Sequence, residues 1–158
     1  MDPRDIAETH VHCIDLLNRY ILAVHDKDTE AFVNSFAPDG VWIRPGDQVM
    51  RGHREIRAFI GPIFAAERLN RHVLVGTVVD AQGLDRASVQ SLAVVYEAER
   101  MVDGRATMRP PSYIAEYSDD VRRIDGRWRF LQRKTSVIFV SRHALPLAGI
   151  VPPEGDTG

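Results

Sequence analysis

The hydrophobic period of this chain changes once, near Asn70, and that change limits what it can fold into. Before it, Ile14, Leu17, Ile21 and Val24 recur three or four residues apart, which keeps one face inward on a helix over about Asp5 to Val24. His25-Asp26-Lys27-Asp28 breaks that pattern, and Asp28 is placed to cap a short second helix ending near Phe36. Pro38-Asp39-Gly40 reads as a turn, Val41-Trp42-Ile43 as a short strand, and Pro45-Gly46-Asp47 as a turn into another around Gln48 to Met50. Ile56, Phe59, Ile60 and Ile63 mark a third helix, which Pro62 is expected to bend or shorten. Beyond Asn70, residues 72–79, 88–102, 113–124 and 127–140 are rich in Val, Ile, Tyr, Phe and Trp. Turn signals at Gly83, Asp103-Gly104 and Asp125-Gly126 separate them, and the Asp-Gly pairs mark hairpins because both central residues of such turns favour positive φ.

Helices first and a long antiparallel meander afterwards is the order of an α+β fold. The expected layout is one domain over residues 1–144 and an irregular tail over 145–158, where Pro146, Pro152, Pro153 and Gly155 oppose regular structure. The chain's 158 residues, 44% hydrophobic and 27% charged, suit one globular domain with a real core. A net charge of -2 and the lack of a basic stripe give no support to a nucleic-acid partner. No apolar run approaches the roughly 20 residues of a membrane span. The start, Met1-Asp2-Pro3-Arg4-Asp5, lacks a secretory pattern, so a cytoplasmic location is expected. Cys13, the single cysteine, falls in the apolar stripe and reads as a packed core thiol.

Three local patterns carry a family resemblance. They are Arg19-Tyr20-Ile21-Leu22-Ala23-Val24-His25-Asp26 followed by Phe36-Ala37-Pro38-Asp39-Gly40-Val41-Trp42; the Arg71-His72 pair opening the first long strand; and Tyr113-Ile114-Ala115-Glu116-Tyr117 leading through Asp125-Gly126-Arg127-Trp128 to the last strand. In this order they resemble the nuclear transport factor 2-like superfamily, and within it the SnoaL-like branch that includes scytalone dehydratase and hexachlorocyclohexane dehydrochlorinase. The resemblance implies a cone: N-terminal helices packed on a strongly curved antiparallel sheet that encloses a small-molecule pocket. It also implies a lyase or isomerase working without a cofactor, in which a histidine takes a proton from carbon and a leaving group departs. His72 falls on that histidine, Trp42 on a pocket tryptophan, and Arg133 on an arginine assisting the leaving group. The tail Pro146-Leu147-Ala148-Gly149-Ile150 resembles the dehydrochlorinase C-terminal segment, which favours a homotrimer over a dimer. Where the family has an aspartate that orients the histidine, this chain has His25.

The residues themselves leave alternatives open. His72 can accept a proton near neutral pH, but a strand histidine bonded to backbone is the common structural case. His25 is an acid or base itself, shares a proton with His72, or marks a site that only binds; Asp26 should point about 100° away. Tyr20 lies toward the same face and offers a phenol, or simply packs. Tyr113 and Tyr117 share a strand face, and Tyr96 and Tyr113 are candidate ligand contacts. Arg133 is expected to share its face with Arg129, Leu131, Thr135 and Val137, with an edge ion pair to Glu97 or Glu116 as the plain alternative. His10 and His12 lie on opposing sides of a helix, so no metal site is expected. Asp119-Asp120 reads as an exposed charge run. The leading expectation is acid–base elimination on a small cyclic, aromatic or polyketide-type substrate, with His72, His25, Tyr20 and Arg133 as the catalytic set. A non-catalytic binding or accessory protein and a protein-interaction module are the rivals.

Overall fold

The computed structural model describes residues 1–145 and 150–152, so most of the Pro146–Ile150 resemblance lies outside the described residues. Helix α1 (Pro3–Asp26) runs further at both ends than its hydrophobic period indicates. Asp2 caps it by accepting the Arg4 N–H at 2.8 Å, Pro3 occupies the first turn, and Lys27 ends it in the left-handed region at φ 56°. The stripe it buries includes Thr9, Cys13, Leu17, Tyr20 and Ile21, whereas Ile14 is 44% exposed. Ile14 sits a 100° step round from Cys13, so the Cys13–Leu17–Tyr20 line faces the core and Ile14 does not.

Helix α2 (Thr29–Asn34) begins where Asp28 accepts the Ala31 N–H at 2.9 Å. Strand β1 (Phe36–Arg44) follows at once and passes straight through Pro38-Asp39-Gly40, which is not a turn. A Cβ on Gly40 would lie 2.8 Å from the Phe130 carbonyl oxygen and 2.9 Å from that of Ala37, so only glycine lets the backbones approach here. Gly46 and Asp47, both at positive φ, turn the chain into β2 (Gln48–Arg51). Helix α3 (Gly52–Ala65) continues through Pro62. The long strands are β3 (Leu69–Ala81), β4 (Arg86–Ala98), β5 (Tyr113–Ile124) and β6 (Arg127–Val140). Asp125-Gly126 makes the β5–β6 hairpin as expected. Asp103-Gly104 also turns at positive φ, but between the isolated bridge partners Val102 and Arg105, and β4 stops short at Ala98.

The six strands form one open, curved sheet in the order β2-β1-β6-β5-β4-β3. All neighbours are antiparallel except β1 and β6, whose parallel pairing brings the start of the sheet beside its end. The helices cover the concave side over an aromatic core. In it Tyr20 lies 4.8 Å from Phe32, Phe32 5.2 Å from Trp42, and Phe36 5.4 Å from Phe130, centroid to centroid. Cys13 is buried there, and loss of water pushes its thiol up to about 11, so it stays protonated. No described helix is long and apolar enough to cross a membrane.

Candidate active site

Cross-strand register builds the site. His72 on β3 stands opposite Val95 on β4, which stands opposite Tyr113 on β5. Directly paired residues project to the same face, and Val95 and Tyr113 are buried, so His72 faces the concave side. A second row joins Asp119 on β5, Arg133 on β6 and Trp42 on β1. Between the sheet and the helices lies a cavity of about 70 Å³, lined by Tyr20, Trp42, Arg44, Asn70, His72 and Tyr113 among others. A much larger hollow of about 630 Å³ lies between α1, α2 and the β5–β6 turn and holds none of these groups. We place the site in the smaller cavity because the polar groups converge there.

His72 keeps some surface, but its Nδ1 is buried and has no hydrogen-bond partner among the described residues. Burial first, then His25 and Arg133, lower its pKa from 6.5 to about 3, so the ring is neutral. His25, in the last turn of α1, does not bond the imidazole of His72. Its Nε2 accepts the His72 backbone N–H at 2.8 Å, and the ring centroids are 6.3 Å apart. This bond requires Nε2 to be unprotonated, so the neutral ring carries its proton on Nδ1. Burial and then Arg71 lower the His25 pKa, against an opposing pull from Asp26, which is exposed. His25 therefore clips the free edge of β3 and fixes the backbone that carries His72.

Tyr20 and Trp42 line the cavity, with the Trp42 Nε1 3.4 Å from the Thr135 hydroxyl. Burial raises the pKa of Tyr20, Tyr113 and Tyr117, so their phenols remain donors. Tyr96 does not share this space. It lies between buried Val95 and Glu97, so strand alternation turns it to the opposite face.

Arg133 is 1% exposed and stands behind the cavity wall, its guanidinium carbon 4.1 Å from the Tyr20 ring centroid and 4.0 Å from that of Tyr117. Its ionic partner is neither Glu97 nor Glu116 but Asp119, with 3.6 Å between Nε and Oδ1, too long for a hydrogen bond. Asp119 is thus not part of an exposed charge run: it is 2% exposed, and burial first, opposed by Arg133 and aided by Asp120, raises its carboxyl to about 6. Nor does Arg133 share a face with Arg129. The register slips between Asp120 and Val121, so Phe130 and Arg133 both face inward, while Arg129 reaches the Asn34 carbonyl at 2.7 Å. Glu97 instead holds Arg68 at 2.5 Å and accepts the Leu145 N–H at 3.3 Å, tying down the end of the domain.

Arg44 and Asn70 line the cavity and Asp119 pairs with Arg133 behind its wall, but none of the three was marked as a site residue by the sequence. Each lies at even spacing on its strand from a chosen residue: Arg44 from Trp42, Asn70 from His72, and Asp119 from Tyr113 and Tyr117. That period of two was the available signal.

Comparison with known proteins agrees with this architecture. No curated protein matches the chain. A Mycobacterium tuberculosis protein described as of unknown function, Rv3472(D26N), is 25% identical at a TM-score of 0.74, covering 87% of this chain and 77% of its own. The structure of a putative scytalone dehydratase from Novosphingobium aromaticivorans is 16% identical at a TM-score of 0.79, covering 99% of this chain and 100% of its own. LinA is 18% identical at a TM-score of 0.73, covering 97% and 100%. At those last two identities the likeness is one of fold, which solved structures similar to this chain describe as cystatin-like or NTF2-like. Residues 5–134 match the SnoaL-like domain, and the chain belongs to that family.

Proposed function

We propose that this protein is a lyase or isomerase that moves a proton within its concave cavity by acid–base chemistry alone, with His72 as the catalytic residue. The observation that carries the reading is the buried Nδ1 of neutral His72, without a hydrogen-bond partner among the described residues, in the wall of a cavity that also presents the Tyr20 and Tyr113 phenols. In the proposed step an imidazole nitrogen of His72 takes a proton from carbon adjacent to a carbonyl. The C–H electron pair moves into a new double bond, and the carbonyl oxygen takes up negative charge, which a phenol stabilises. In elimination, a hydroxyl on the next carbon leaves and receives the proton from His72 as water. In isomerisation, the proton returns to a different carbon. Arg133 acts from behind, keeping Tyr20 and Tyr117 in place and lending positive field. The cavity favours small substrates at the lower end of the cyclic and polyketide-type range. The partner we propose for assembly is a second copy of the chain.

Pure ligand binding is the second reading, and one observation favours it. A base whose pKa lies near 3 has little drive to take a proton, and no carboxylate among the described residues bonds its ring. A screen of hydroxylated and halogenated cyclic carbonyl compounds against the wild type and His72→Ala separates the two. Turnover lost by about a hundredfold or more in the variant is the expected result; compounds that bind both proteins equally and are never converted would establish binding alone.

A further inference from the structure

We infer that Asn70 selects the ligand of this cavity, and that the group it reads is a neutral hydroxyl on a small, mostly hydrocarbon ring. This rests on the reading above only in taking the cavity as the ligand site, and the binding it predicts does not require elimination. Asn70 lies on β3 two residues before His72 and opposite buried Glu97, so its side chain projects to the concave face. It belongs to the lining of the cavity, and its amide Oδ1 is buried with no hydrogen-bond partner among the described residues. An amide oxygen only accepts, and leaving one unpaired away from water is unfavourable, so a ligand in this cavity gains by donating to it.

The rest of the lining narrows the donor. Among its described residues there is no Asp or Glu, so nothing in the wall balances an ammonium, whereas a neutral O–H needs no countercharge. Val24, Phe59, Ile60 and Ile63 make much of the remaining wall and suit a hydrocarbon body. Asn70 and His72 stand about 7 Å apart along the strand on one face, so a ring whose hydroxyl reaches Asn70 presents its neighbouring carbons to the imidazole. In the elimination described above, Asn70 would hold the hydroxyl by its hydrogen and leave the oxygen lone pairs open. His72 takes the proton from the adjacent carbon and the C–H electron pair forms the double bond. The C–O bond breaks with its pair on oxygen, which receives the proton from His72 and departs as water. A halide has no hydrogen to offer, so in the same place it leaves Oδ1 unpaired and is disfavoured.

The test is calorimetric titration with cyclohexanol, chlorocyclohexane and cyclohexylamine, which differ in the group offered to Asn70. None has a carbonyl to acidify a C–H, so none is consumed by the proposed chemistry. The wild type should bind cyclohexanol about tenfold or more tighter than chlorocyclohexane, although the chloride is the more apolar, and more tightly than the protonated amine. Asn70→Leu, close in size but without an acceptor, should abolish or reverse the preference for cyclohexanol over the chloride; if it fails to fold, Asn70→Ala takes its place. Equal or tighter binding of chlorocyclohexane by the wild type, no binding of cyclohexanol, or the hydroxyl preference surviving in a folded Asn70 variant each overturns the assignment. The amine binding as well as cyclohexanol overturns the claim of a neutral donor. The wild-type comparison can overturn the assignment whatever the variants do. A hydroxyl preference without His72-dependent turnover of any substrate would sink the lyase reading alone. Turnover with no hydroxyl preference would sink this inference alone.

Discussion

At the scale of single residues, the site depends on two histidines that the fold keeps neutral in different ways. Burial disfavours the charged form of the His72 ring, whereas His25 is committed as an acceptor to the His72 backbone. Both pKa values lie below the ordinary 6.5. As pH falls through about 6.5 the unfolded chain binds protons that the native state resists, so the stability tied to neutral His72 is complete above that pH and drains away toward about 3. Asp119 has the opposite sign: its carboxyl is raised to about 6, so its burial becomes less unfavourable as pH falls toward 3.8. Melting temperatures at about pH 7 and pH 5 for wild type and His72→Asn isolate the histidine contribution. The variant should lose less stability than the wild type over that interval; an equal loss would mean that neutral His72 contributes nothing there. Much of this was legible in sequence, because His72, Tyr20, Trp42 and Tyr113 do reach one cavity. The work of His25 was not, because a backbone N–H as a bonding partner leaves no trace in side-chain pattern.

At the scale of elements, the site depends on two junctions between segments distant in sequence. The His25 clip ties the end of α1 to the open edge of β3, and β1 runs parallel to β6. Neither follows from local periodicity, since a parallel pairing carries no hairpin signal. Pro38-Asp39-Gly40 illustrates the limit: turn chemistry suggested a break, but tertiary packing runs the strand through it and uses Gly40 for close approach. Gly40→Ala should cost about 1–3 kcal/mol, because its nearest obstacles are backbone oxygens that do not swing aside. Denaturant unfolding checks this; a midpoint unchanged from wild type would show that the strands separate there without cost.

At the scale of the whole molecule, the change of period near Asn70 separated the helices from the four long strands β3 to β6, with β1 and β2 lying before it in the same sheet, and the family patterns gave the curvature that periodicity cannot express. The same alternation that turns His72 inward leaves an apolar row on the outer face. Val73, Val94, Ile114 and Phe139 stand opposite one another in turn, with Val73 48% and Phe139 66% exposed. Such a continuous stripe fits the proposed homo-oligomer. Light scattering on the wild type should give a dimer or trimer, and Phe139→Glu should shift it toward monomer; a monomeric wild type would remove the stripe's proposed role. In the proposed chemistry the cavity histidine moves a proton on carbon, and deuterium exchange measures this without any assumption about the leaving group. Wild type, His72→Ala and His25→Asp would be incubated in D2O with small hydroxylated cyclic carbonyl compounds, and loss of the C–H signal followed by NMR. The wild type should exchange, and the rate should fall about a hundredfold or more in His72→Ala. Exchange undiminished in His72→Ala, or present only in His25→Asp, would contradict that chemistry.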